Sequence, residues 1–165
     1  MKTKLYSELK KLKVDTPTEG NAGKIVDILG QRSKKYWDAR EVEIKSGTIK
    51  KKKNYFQVSD LTYVDEKRIS LGRGIDHGND SHSRDIDISL STTEGKNLMN
   101  SDEEKVGTIY DYEIQIDSQP WKVWNILVKP TGMSPTKRRM RISIDDIEEV
   151  APDKVVLVES YVEPE

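Results

Sequence analysis

Asp27 and Asp111 are the residues at which a search for chemistry stops first. Each stands four residues after a glycine, in "GKIVD" (23–27) and in "GTIYD" (107–111). Carboxylates can act as general acid and general base, provided a second carboxylate or a histidine lies within reach. Neither aspartate has such a partner at matched spacing. The reading is therefore structural: a carboxylate at a bend that accepts backbone amides. His77 and His82 lie in a segment that also holds Asp76, Asp80 and Asp85. That set fits no closed zinc spacing, and the segment reads as a solvated linker. The chain has no cysteine, which excludes disulfides and thiolate metal sites. It has no glycine-rich phosphate loop and no Ser/His/Asp or Cys/His set. No catalytic residue, no metal and no cofactor is expected.

A repeat positions the two aspartates. At an offset of 84, Gly23 meets Gly107, Ile25 meets Ile109, Asp27 meets Asp111, Trp37 meets Trp121 and Val42 meets Ile126. The offset then becomes 86, and Val58 meets Ile144, Asp60 meets Asp146, Ile69 meets Val155 and Leu71 meets Leu157. One insertion of two residues before "RRMRIS" reconciles the registers. Residues 5–72 and 90–161 read as two copies of one unit. Gly23 and Gly107 are expected at strand starts where a side chain would clash or φ is unusual.

The unit alternates apolar and polar residues, as in "REVEIK" and "RMRISI", and "KVVLVES" and "KRISL" are β-branched runs. Period two with β-branched enrichment indicates strands. Turn signals such as "KSGT", "IDSQP" and "APDK" divide them. The pattern predicts a small all-β barrel or sandwich. Only "SELKKL" and "SIDDIEEV" suggest a helical turn. Apolar residues make up 34% of the 165 and charged residues 35%. So thin a core suits two small barrels better than one large globule.

The near-neutral total hides an asymmetry. Residues 1–75 hold 18 Lys/Arg against 10 Asp/Glu, and residues 76–165 hold 10 against 19. Two basic clusters, Lys50, Lys51, Lys52, Lys53 and Lys137, Arg138, Arg139, Arg141, precede or open matched strands. They are candidate contacts for an anion or an acidic partner, or solvated loop charge that protects strand edges. Trp37 and Trp121 are expected in the core or at a barrel mouth. Trp124 has no counterpart, since position 40 is Arg, and is the candidate protein-binding residue.

The second copy, "EGKNLMNSDEEKVGTIYDYEIQI" with "RISIDDIEEVAPDKVVLVES", resembles the PRC-barrel domain. The first, "AGKIVDIL" through "VSDLTYVDEKRISL", is similar through the repeat. The resemblance implies two small tandem PRC-type β-barrels: residues 1–74, a polar linker at 75–89, and residues 90–165. It also implies a non-enzymatic protein–protein adaptor, similar to archaeal PRC-barrel cell-division proteins. The implied partner is a SepF-type division protein linked to the FtsZ ring. The alternative is an RNA-binding or ribosome-assembly factor, by similarity to the C-terminal part of the maturation factor RimM. The opposed charges of the halves suggest a homodimer. No apolar run is long enough to span a bilayer, and "MKTKLYSELKK" lacks the apolar stretch of a signal peptide. A cytoplasmic protein without membrane insertion is expected.

Overall fold

A computed structural model describes residues 1–18, 20–46, 53–132 and 139–162. The first copy runs β1 (Thr3–Leu5), α1 (Tyr6–Lys11), β2 (Lys13–Asp15), β3 (Lys24–Arg32), β4 (Trp37–Lys45), β5 (Lys53–Gln57), a single turn at Val58–Asp60, β6 (Leu61–Val64) and β7 (Arg68–Leu71). The second repeats it: β8 (Ile88–Ser89), α2 (Leu90–Thr93), β9 (Asn97–Met99), β10 (Lys105–Gln115), β11 (Trp121–Pro130), β12 (Met140–Ser143), a single turn at Ile144–Asp146, β13 (Ile147–Val150) and β14 (Lys154–Leu157). Every element of one copy has its equivalent in the other, at the offsets read from the sequence. The all-β class is what the structure shows.

The copies interlock. β1 of the first copy pairs with β10 of the second, Leu5 opposite Glu113. β8 of the second pairs with β3 of the first, Ser89 opposite Leu29. These are the same contact with the copies exchanged. Between them β4 and β11 run antiparallel, with Trp37 opposite Val123, Asp38 opposite Lys122 and Ala39 opposite Trp121. Exchanging the copies maps this ladder onto itself, so a pseudo-twofold axis passes through the Asp38–Lys122 pair. The main sheet follows the order β13-β14-β9-β10-β11-β4-β3-β8, with β1, β5 and β12 as side branches. A second sheet, β2-β7-β6, is joined by a Val14–Gly23 bridge to the residue just before β3. Strands of both copies thus share one curled sheet, and two separately closed barrels are not established by this pairing.

The core follows from the strand periodicity. Trp37 and Trp121 are each 1% exposed and lie in one apolar cluster with Val42, Ile126, Ile69 and Val155. The cluster runs through both copies. Gly23 and Gly107 sit where the neighbouring strand approaches closely. A Cβ on either would lie 2.4 Å from a carbonyl oxygen, that of Lys45 or of Lys129. No side chain fits there, which accounts for the repeated glycine.

The segment between the copies is held against the first. Asn79 exchanges two backbone hydrogen bonds with Tyr55, each of 2.9 Å. Gln31 donates to the Asp85 carboxylate at 2.8 Å, and the Arg32 amide donates to Asp87 at 2.7 Å. Among the described residues, no helix is long and apolar enough to cross a membrane.

Candidate functional site

The repeated aspartates come first, because their neighbours decide between catalysis and structure. Each follows a bulge that breaks the strand register, between Ile25 and Asp27 in β3 and between Ile109 and Asp111 in β10. The bulge re-aims the side chain towards the start of the other copy's helix. The Asp27 Oδ1 accepts the Ser91 amide at 2.9 Å and its own neighbour Ile28 at 2.8 Å, while Oδ2 accepts the Ser89 hydroxyl at 2.6 Å. Asp111 repeats this with the first copy's helix: Oδ1 accepts the amides of Ser7 at 3.0 Å and Tyr112 at 2.9 Å, and Oδ2 accepts the Ser7 hydroxyl. The residue before α1 is Leu5, which has no oxygen with which to cap a helix. Asp111 supplies that oxygen from the other copy.

Glu41 is the remaining buried carboxylate among the described residues, 3% exposed. It accepts the Ser83 amide at 3.1 and 3.3 Å and so fastens the inter-copy segment to β4. All three buried acids are therefore committed to backbone amides. Two buried phenols lie between the copies, their rings edge-to-face at 5.6 Å: Tyr6 and Tyr112. Burial, reinforced by the Asp27 charge, pushes the Tyr6 phenol well above its ordinary value. Burial does the same to Tyr112, whose hydroxyl donates to the Leu90 carbonyl at 2.9 Å.

Trp124 lies half-buried on the outer face of β11, beside the axis. Its Nε1–H donates to Gln115 at 2.8 Å, and its ring packs on Tyr36 with centroids 5.0 Å apart. The Lys122 ammonium sits 4.8 Å from the centre of the Tyr36 ring. Position 40, related to Trp124 by the repeat, carries Arg40, paired with Asp38 at 3.5 Å and Asp85 at 3.9 Å. One end of the seam is thus aromatic and the other ionic. The sequence marked Trp124 as unpaired but contained no signal for Tyr36, whose role depends on the β4–β11 register.

The basic clusters are placed only in part. Lys50, Lys51, Lys52, Lys137 and Arg138 lie outside the described residues, and Lys53 opens β5. Arg139, just before β12, and Arg141, within it, flank Met140 and are exposed. The Arg139 guanidinium stands 4.5 Å over the Tyr110 ring, and Arg141 pairs with Glu113 at 3.3 Å. The histidines do not converge: His82 Nδ1 lies 2.8 Å from the Ser83 carbonyl oxygen, and its ring meets the edge of Tyr55. Among the described residues, no group of three His, Cys, Asp or Glu side chains could hold a metal ion.

Two shallow clefts occupy equivalent places in the copies, between the first strand and the last hairpin. The one at Lys2, Lys4, Asp65, Lys67 and Arg68 has a volume of about 600 Å³. The one at Ile86, Ile88, Val150 and Pro152 has about 360 Å³. The repeat keeps the cleft and replaces Lys2 and Lys4 of the first by Ile86 and Ile88 in the second, whose lining also includes His82, Asp87 and Lys96. Compared with known proteins, the chain matches no family model and no curated sequence.

Proposed function

We propose that this chain is a tandem PRC-barrel-type protein that works as a non-enzymatic protein–protein adaptor in the cytoplasm. A SepF-type division protein is the proposed partner. The observation that carries the adaptor reading is the commitment of Asp27, Asp111 and Glu41 to backbone amides. Those carboxylates hold the fold together, which gives each of them a structural role. What varies between the copies is the surface: Trp124 against Arg40 at the seam, and Lys2 and Lys4 against Ile86 and Ile88 in the cleft. Aromatic side chains held against a second ring are suited to anchoring a protein partner. The SepF assignment rests on the sequence resemblance and on fold-level analogy.

The test is a pull-down from the native host with and without nuclease, using the wild-type chain and Trp124→Ala. The adaptor reading expects division proteins that survive nuclease treatment and are depleted by the Trp124 substitution. Ribosomal proteins that disappear with nuclease would favour the RNA-binding alternative. One observation speaks for that alternative: the exposed Arg139 stands over Tyr110 of β10, a cation–aromatic pair of the kind on which bases stack.

A further inference from the structure

We infer that β12 is an open sheet edge that receives an extended acidic segment of a partner protein by strand addition. This rests on the adaptor reading and specifies where the partner binds and what its chemistry is. The template lies within the chain. β5 holds in the first copy the place that β12 holds in the second, since Glu43 opposite Tyr55 corresponds to Leu127 opposite Arg141. In an antiparallel ladder, the backbone groups of successive residues point to alternate sides. Tyr55 turns its amide and carbonyl away from β4, and Asn79 meets both at 2.9 Å. The same register turns the Arg141 amide and carbonyl away from β11, and among the described residues nothing meets them. A row of unpaired strand groups is a template for another chain.

The closure of β5 depends on a close approach. A Cβ on Gly78 would lie 2.7 Å from the Asn54 Cβ and 2.8 Å from the Phe56 ring. At the offset of 86, the residue in the place of Gly78 is Pro164, which lies outside the described residues. Met140 and Ile142 stand where Asn54 and Phe56 do.

Charge identifies the occupant. The segment that closes β5 is acidic, with Asp80, Asp85 and Asp87 following Asn79. β12 and the residue before it offer two exposed arginines, Arg141 and Arg139, at alternate positions. A second copy pairing through its own β12 would set arginine opposite arginine, and like charges directly across a ladder are destabilising. A strand carrying Asp or Glu at alternate positions sets carboxylates there instead and supplies the missing backbone partners.

The probe is a short synthetic peptide alternating Glu and Val, with a Lys–Val peptide as control. Amide exchange and chemical shifts are read by NMR on the full chain. Without peptide, the Arg141 amide should exchange at least about tenfold faster than that of Tyr55. The Glu–Val peptide should slow it and shift the amides of 140–143, the Lys–Val peptide should not, and Arg139→Glu with Arg141→Glu should reverse the preference. Three outcomes would overturn the proposal: an Arg141 amide already as protected as that of Tyr55, equal effects of both peptides, or protection that grows with protein concentration. Failure of the two readings can be told apart. A division partner captured equally well by the double Arg→Glu variant sinks the edge site and leaves the adaptor standing. Peptide binding at β12 with no protein captured from the host does the reverse.

Discussion

The Asp27 carboxylate of the first copy and the Ser91 amide of the second are 2.9 Å apart, across 64 residues of chain. Asp111 and Ser7 make the same contact in the opposite sense, at 3.0 Å. Each copy therefore closes the first turn of the other's helix, and neither helix is complete without the other copy.

The reciprocal caps set the first expectation. Asp27→Ala and Asp111→Ala each remove a buried acceptor of two backbone amides. Hydrogen bonds to charged groups contribute about 1.5–3 kcal/mol, and stranded buried donors add to the loss. Each variant should lose roughly 2–4 kcal/mol in urea unfolding by that measure. A loss within error of zero for either would refute the assignment of these carboxylates as caps.

The tight crossings set the second. Gly23→Ala and Gly107→Ala would place a methyl 2.4 Å from a backbone carbonyl oxygen, which only backbone movement relieves. Overpacking of this kind costs about 1–3 kcal/mol. Gly20 has nothing within 4 Å of its Cβ position, so Gly20→Ala serves as a control. Thermal unfolding should rank the control well above both others, and equal midpoints would contradict the crossing geometry.

A third concerns alkaline pH. The phenols of Tyr6 and Tyr112 are both raised, by burial first and by nearby carboxylates second. A group whose folded-state value is raised contributes its full stability below the unfolded value and loses it as pH rises. Stability should therefore hold up to about pH 10, the ordinary phenol value, and fall above it. The ultraviolet phenolate band should show two of the seven tyrosines ionising only with unfolding. Ionisation of all seven in the folded chain would contradict the burial of this pair.

A fourth follows from the exchanged first strands. Fragments 1–74 and 75–165 each lack the other's β1 or β8 partner and its aspartate cap. Expressed together, they should purify as a one-to-one complex whose circular dichroism matches the intact chain. Fragments that fold cooperatively alone and ignore each other would contradict the interlock.

Much of this fold could be read from the sequence. The period-two runs became strands, and the Gly-x-Ile-x-Asp match became two equivalent bulges. "SELKKL" became α1, with Glu8 reaching back to the Leu5 amide at 2.9 Å. Short α2, in "LSTT", escaped, because four residues are too few to show a helical period. The exchange of first strands escaped for a different reason. Periodicity assigns a residue to a face and is silent on which strand lies beside which. The partner of Asp27 is Ser91, a residue with no local signature. The segment 75–89, polar enough to read as linker, is tied down through Asn79, Ser83, Asp85 and Asp87 to β5, β4 and β3. Backbone bonds and lone carboxylates leave no hydrophobic pattern to find.

The pairing of Asp38 with Lys122 on the axis has its own consequence. In an assembly of two identical chains, whatever stands on a twofold axis faces itself, so a charge there faces the same charge. Joining the copies in one chain lifts that constraint, and here an acid faces a base. A chain built from two first copies would set Asp against Asp, and one built from two second copies Lys against Lys. The duplicated halves have become complementary parts, each fitted to the other rather than to its own likeness.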